Sequence, residues 1–417
     1  MDARSPSHYR WSVVAMLWCI SCFNYADRQA IFSVFPLLEK EFNLSTTQLG
    51  LLGSAFAWTY GLAAPLAGFL VDRMTRKTAV LAGLQIWSFI CAATAWAKTF
   101  PQLLIFRAAE GLGESAYFPA SMSLIGDYHG KDTRSRAMGF HQTSVYVGTI
   151  AGGFFAGLIG KQYGWRWSFI VFGLLGMLLG IVLWRALREP RRGAADETRA
   201  SLPMPEALRR VSRTPTFWTL MAAFLCANFV AVVLLTWMPK FVHDQFGLDL
   251  ALSGLTATLF VQLASLASAS LGGWLADRAR HRWPGGRMLV QMLGVLGGAP
   301  FVLWCGASKS VGALIVALTF WGFFKGLYDA NIWASLFDVI PLESRGTAVG
   351  AMNLLGWLAG GGTAPVIIGY VASRTSLGYA IGLASAVYVV AGALLFVAFR
   401  FLAPRDVIAA PTREALA

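Results

Sequence analysis

Long apolar runs separated by short polar loops make up most of this 417-residue chain. A helix needs roughly 20 apolar residues to cross the hydrocarbon core of a bilayer. About twelve runs meet that need, near 11–36, 48–70, 78–97, 101–125, 136–160, 167–187, 215–240, 252–275, 288–307, 311–337, 346–371 and 378–401. The pattern predicts an all-α integral membrane protein. The first run follows a short basic tail, but it is long, carries charge and lacks a small-residue cleavage site, so it is expected to stay as a helix. A polar stretch, EPRRGAADETRASLPMPEALRRVSRTP, interrupts the series after the sixth run. It predicts six helices over 1–187, a cytoplasmic linker over 188–214 and six more helices over 215–417.

Composition agrees with a membrane protein and excludes a soluble globular domain. The chain is 56% hydrophobic and 13% charged, with a mean hydropathy of +0.58. A net charge of +13 raises the question of nucleic acid, and the distribution of the charges answers it. Lys and Arg concentrate in alternate loops, the positive-inside bias that orients a membrane protein, and they place both termini in the cytoplasm. The densest cluster, Arg185, Arg188, Arg191, Arg192, Arg199, Arg209, Arg210 and Arg213, is interspersed with acids and suits a linker held at the lipid surface. No nucleic-acid partner is expected. Cys19, Cys22, Cys91, Cys226 and Cys305 all fall in apolar runs and indicate neither a disulfide framework nor a metal site.

The two halves share a loop. GFLVDRMTRK carries Gly68, Asp72, Arg73, Arg76 and Lys77, and GWLADRARHR carries Gly273, Asp277, Arg278, His281 and Arg282, with the same spacing at the same point of each half. Such glycines let a neighbouring helix come close, and the aspartates suit a carboxylate cap on a helix N-terminus. The arginines are expected to tie helix ends together by ion pairs that break and re-form as the halves rock. The duplicated G-x-x-x-D-R-x-x-basic-basic loop resembles the signature of the major facilitator superfamily. That resemblance covers nearly the whole chain. It implies two six-helix bundles with pseudo-twofold symmetry, a substrate site between them at mid-membrane, and alternating access.

Charges inside the bilayer are unfavourable by several kcal/mol unless paired or hydrated, so each is a functional candidate. Here they are Asp27 and Arg28 in the first run, Arg107, Glu110 and Glu114 in the fourth, and Lys325 and Asp329 in the tenth. Arg107 and Glu114 stand nearly two turns apart on one face, about 10 Å along the axis. That leaves Arg107 contested between Glu114 and Asp27. A desolvated Glu114 without a cation would hold a proton, the minimum needed to couple protons to shape. Arg28 is suited to a bidentate grip on a substrate carboxylate, the alternative being a structural ion pair. Glu110, one turn from Arg107, reads more as its neutralising partner than as a coupling group. Lys325 and Asp329 read equally as a structural pair or a site. Tyr25, Tyr60, Gln142 and Asn353 fall where four helices would line a central cavity. His141 reads as a packing residue. Gly148, Gly152, Gly153 and Gly157, with Gly356, Gly360, Gly361 and Gly362, point to close packing and bending.

Asn24-Tyr25-Ala26-Asp27-Arg28, with Arg107-x-x-x-Gly111-x-Gly113-Glu114 and Phe118-Pro119-Ala120, resembles the anion:cation symporter family, whose members carry hexuronates, galactonate, glucarate and related acids. By that resemblance Asp27 and Glu114 are proton-coupling carboxylates with Arg107 between them, and Tyr25, Arg28 and Tyr60 line the sugar-acid site. Spinster-like transporters of lysolipids share the N-Y-x-D-R element and a G-x-G-E segment, and DTRSRAMGF at 132–140 suits them too. The Phe118-Pro119-Ala120 run favours the organic-anion family. Neither a catalytic constellation nor a sizeable extramembrane domain is evident, and with only 5 His an enzyme or receptor is disfavoured. The expectation is a monomeric proton-driven symporter of a small organic anion in a bacterial inner membrane, without cofactor or metal.

Overall fold

The computed structural model describes residues 7–130, 132–190 and 204–407. Arg191, Arg192 and Arg199 of the basic linker lie outside these residues. The first half comprises α1 Ser7–Ser33, α2 Phe35–Phe42, α3 Thr46–Arg73, α4 Arg76–Thr94, α5 Phe100–Glu114, α6 Tyr117–Tyr128, α7 Arg134–Tyr163 and α8 Trp165–Ala186. A short linker helix, α9 Met204–Ser212, precedes the second half. That half comprises α10 Pro215–Phe246, α11 Leu250–Arg280, α12 Gly286–Ala307, α13 Val311–Asp329, α14 Ile332–Val339, α15 Arg345–Leu355, α16 Ala364–Arg374 and α17 Leu377–Val397. With α5–α6, α13–α14 and α15–α16 each taken as one interrupted pass, the chain crosses twelve times, as the hydropathy predicts. Ten of those passes are long and apolar enough by composition alone. The other two, α1 and α5–α6, carry Asp27, Arg28, Arg107, Glu110 and Glu114.

Helix starts are set by local chemistry. Ser45 and Gln48 form a capping box at α3, and Thr99, Asp249, Ser310 and Ser376 accept from backbone N–H groups at α5, α11, α13 and α17. The interruptions are not visible in hydropathy, because an apolar run continues through each. The eleventh pass is broken by a π-helical turn over Gly356–Gly361, a distortion that recurs at functional sites.

Hydrogen bonds and ion pairs join the two halves at the end away from the termini. Lys240 of α10 pairs with Glu39 of α2, and Lys161 Nζ lies 3.1 Å from Asp249. Thr46 Oγ1 donates to the Gly369 carbonyl at 2.9 Å, and the Val366 N–H donates to Ser54 Oγ at 3.2 Å. The apolar core follows the same geometry. One cluster runs from the second half into this end of the first, through Phe35, Leu38, Trp237 and Ile368. A separate cluster around Val14, Leu81, Leu124 and Ala137 fills the terminus end of the first half. The molecule is thus sealed at one end and parted at the end bearing both termini.

That state corrects several expectations for the repeated loops. A Cβ built on Gly68 or Gly273 would meet nothing within 4 Å, so the close approach expected there is not made while this end is parted. Asp277 does not cap a helix through its backbone; it pairs with Arg287 at 2.8 Å in the first turn of α12. Arg278 rests over the ring of Trp274 on its own helix, 5.8 Å from the centroid, instead of bridging helices. Arg76 pairs with Asp127 of α6. Thr75 caps α4 by accepting from the Thr78 N–H at 3.3 Å, and the Glu189 carboxylate completes the cap by accepting from the N–H groups of Arg76 at 2.9 Å and Lys77 at 2.7 Å. Arg73 ends α3, and the side chain of Asp72 lies outside the described residues.

A second repeat is carried by two arginines that hydropathy does not single out. Arg134 donates to the carbonyls of His129 and Gly126, and Arg345 donates to those of Ile340 and Phe337, the same offsets in each half. Each guanidinium thereby closes the carbonyl end of a preceding short helix, α6 or α14. The signal is Asp-x6-Arg, present as Asp127/Arg134 and Asp338/Arg345.

Candidate functional site

Helices α1, α3, α5 and α7 of the first half converge because small residues let backbones touch. A Cβ at Gly152 of α7 would lie 2.1 Å from the Ala26 carbonyl oxygen, and one at Gly111 of α5 would lie 2.4 Å from that of Phe56. Gly111 therefore brings α5 onto α3, and Gly152 brings α7 onto α1. The charged side chains of α1 and α5 are confined between these contacts. Asp27, Arg107, Glu110 and Glu114 are each at most 4% exposed.

Arg28 forms an ion pair with Glu114, and Arg107 forms one with Glu110. The expected contest for Arg107 between Asp27 and Glu114 is therefore replaced by two separate pairs. The reason is reach: Glu110 is one turn away on the same helix, while Glu114 is claimed across the interface by Arg28. Aromatic rings complete the cage. The Arg28 guanidinium lies 4.8 Å from the Phe56 centroid, 4.7 Å from Tyr60, 5.0 Å from Tyr25 and 5.9 Å from Trp357. Phe56 also lies 4.9 Å from the Arg107 guanidinium, so one ring stands beside both cations. Trp357 reaches the site from the π-helical turn of the second half. The sequence does not mark Phe56, Trp357 and Cys91 as site residues, because an aromatic or thiol in an apolar run carries no signal of its own.

Among the described residues, Asp27 is the acid of this cluster that forms no ion pair. Its Oδ1 is buried with no hydrogen-bond partner, as are Glu110 Oε1, Glu114 Oε1 and Arg107 Nε. A carboxylate oxygen of Asp27, one of Glu110 and the Cys91 sulfur lie within 4.8 Å of one another. Those donors are mixed in hardness and share their surroundings with a guanidinium, a poor fit to a divalent cation.

Beside Arg28 opens a small polar cavity whose lining includes Asn24, Tyr25, Tyr60, Glu114, His141 and Gln142. Tyr25, Arg28, Tyr60 and Gln142 are thus brought together. Asn353 does not line this cavity: it sits on α15, before the π-helical turn that carries Trp357 to the site. His141 Nε2 lies 3.1 Å from the Tyr117 hydroxyl, which donates to the Leu17 carbonyl at 2.7 Å, a packing arrangement. Lys325 pairs with Asp329 one turn on and faces Tyr146 across the junction of the halves.

The arrangement offers a guanidinium at a polar cavity, a carboxylate whose protonation would release it, and a further buried acid that forms no ion pair among the described residues. Comparison with known proteins places it. Human protein spinster homolog 1 is 29% identical over 387 residues, covering 87% of this chain and 73% of that protein. The probable galactarate/D-glucarate transporter GudP of Bacillus subtilis is 25% identical over 403 residues, covering 89% and 88%. The sodium-dependent phosphate transport protein 1 of Arabidopsis thaliana chloroplasts is 27% identical over 372 residues, covering 84% and 72%. Among solved structures, a bacterial homologue of the human lysosomal transporter spinster superposes with a TM-score of 0.87 at 23% identity, over 97% of this chain and all of that one. That structure is inward-facing and unoccupied; its occupied counterpart gives 0.85. The sequence profile of the Major Facilitator Superfamily matches residues 17–365, and this multi-pass membrane protein, a transporter and not an enzyme, belongs to that superfamily.

Proposed function

We propose that the protein is a proton-coupled symporter of a small organic anion, working by alternating access between its two six-helix halves. The observation that carries this reading is the position of Arg28, at the polar cavity with its guanidinium held by Glu114. A proton arriving on Glu114 removes that acceptor's charge and frees the guanidinium for a substrate carboxylate. The anion and the proton then enter together, because either alone would leave a buried charge uncompensated when the halves close. Tyr25, Tyr60 and Gln142 supply polar contacts to hydroxyls of the substrate, and Asp27 and Arg107 complete the buried charge set. In a bacterial inner membrane, with both termini in the cytoplasm, the parted end faces inward. The duplicated loops with Asp72, Arg73, Arg76, Lys77, Asp277 and Arg278 are then the elements that meet when that end closes.

The similarity to GudP supports a sugar acid as cargo, and the polar lining supports it independently. The similarity to spinster homologues favours a second reading, in which the cargo is a lysolipid. Proteoliposome uptake separates the two. An inward proton gradient is expected to accumulate a labelled sugar acid, and Glu114→Gln to reduce accumulation to the level of empty vesicles. Lysophospholipid movement without sugar-acid uptake would favour the second reading, and sugar-acid accumulation undiminished in Glu114→Gln would remove Glu114 from coupling.

A further inference from the structure

The buried cluster holds more acid than base. Asp27, Glu110 and Glu114 face Arg28 and Arg107, three carboxyls against two guanidiniums. Among the described residues, the other elements packed around Asp27 add no charge that changes this. From α4 comes the Cys91 thiol, from α3 the uncharged Phe56 and Tyr60 rings, and from α7 the glycines at the α1 contact. One proton makes the set neutral, and the pairing decides where it goes. Arg28 is taken by Glu114 and Arg107 by Glu110, which leaves Asp27 with a buried oxygen that has no partner.

We propose that Glu110 is a positioning residue for the proton: by claiming Arg107 one turn away, it keeps that guanidinium off Asp27 and makes Asp27 the proton acceptor of the substrate-free state. This goes beyond the neutralising role that spacing alone suggests for Glu110, and it rests on the proton-coupled reading above. The closeness of the two carboxyls supports it. With oxygens of Asp27 and Glu110 within 4.8 Å, both cannot carry charge beside a single guanidinium without strong repulsion, so their titration belongs to the pair. A proton on Asp27 relieves that repulsion while Arg107 stays on Glu110. Removal of the proton gives Arg107 a second carboxylate to turn to, which links protonation to a side-chain switch at the α1–α5 contact.

Infrared titration of the purified full-length transporter tests this through the carbonyl stretch of a protonated carboxylic acid. Wild type is expected to show the band at neutral pH and Asp27→Asn to lose it. Glu110→Gln is expected to lose it as well, because Arg107 then turns to Asp27. The midpoint of the band's disappearance should move in that variant to a proton concentration at least about tenfold higher. Glu110→Asp, which keeps an acid beside Arg107, should restore the band. A merely structural Glu110 would lower thermal stability and leave band and midpoint in place, and that result overturns the proposal. Should Glu110→Gln fail to fold, a band that survives Asp27→Asn overturns it equally. If a proton gradient drives no uptake by wild type, the transport reading fails while the infrared result still decides the role of Glu110. If uptake is proton-driven and Glu110→Gln leaves the spectrum unchanged, only this inference falls.

Discussion

At the scale of single residues, charges in apolar runs are conspicuous because each costs roughly 2.5–3.5 kcal/mol at the centre of a membrane helix. Asp27, Arg28, Arg107, Glu110 and Glu114 are therefore legible as a group in the sequence alone. Their pairing is not, since it depends on which face of α1 meets α5 and on the reach of each side chain. Glu189 is lost in a polar linker, and only the fold brings its carboxylate onto the first turn of α4. Outside the membrane, Asp249 caps α11 and pairs with Lys161. The Leu252 backbone N–H, aided by Lys161, holds its carboxyl below the usual carboxylate range. A depressed acid stabilises the fold above its unfolded value of about 3.9 and loses that contribution as pH falls through its folded value. Asn keeps the cap but not the titration. Thermal unfolding of wild type should therefore weaken more steeply than that of Asp249→Asn between about pH 5 and 3, by less than about 1 kcal/mol. Parallel curves would remove Asp249 from the ion pair that joins the halves.

At the scale of helices, the twelve passes are legible in the sequence and their interruptions are not. The fourth pass breaks just after Glu114, where Ser115 donates to the Leu112 carbonyl at 2.8 Å. The tenth breaks at Asn331, whose amide donates to the carbonyls of Gly272 and Leu327. Both breaks are held by short polar contacts that leave the hydropathy untouched. The glycines of α7 are legible as packing residues, but their partners are not. Gly153 faces Gly254 of α11, and a Cβ on Gly254 would lie 2.0 Å from the Gly153 carbonyl oxygen. This contact is one of those that join the halves in the sealed state. Gly254→Ala should therefore destabilise the sealed state by about 1–3 kcal/mol, the usual range for overpacking. The yield of a disulfide between cysteines placed at Lys161 and Asp249 would read it. The cross-link should weaken in the Gly254→Ala background, and an unchanged yield would show that the helices shift aside at no cost.

For the whole molecule, the two repeats lie at the parted end, and under the proposed cycle they let each half move as a unit. The Arg134 and Arg345 caps and the ion pairs of Arg76 and Arg287 tie helices within each half. Contacts of Lys240 and Lys161 run between halves at the other end. In the alternating access proposed above, rocking about the middle exchanges one set of inter-half contacts for another and leaves the intra-half ties intact. The middle is where Arg28, under Trp357 of the opposite half, meets the cavity. On the proposed function, proton and substrate are sensed where the halves hinge, and this is its central claim. Its most direct test runs the cycle in reverse of the usual assay. In proteoliposomes containing a pH-sensitive dye, with no pH gradient imposed, an inward gradient of the transported sugar acid is expected to acidify the lumen, and Glu114→Gln is expected to abolish the acidification. Uptake of the anion with no movement of protons would contradict the account.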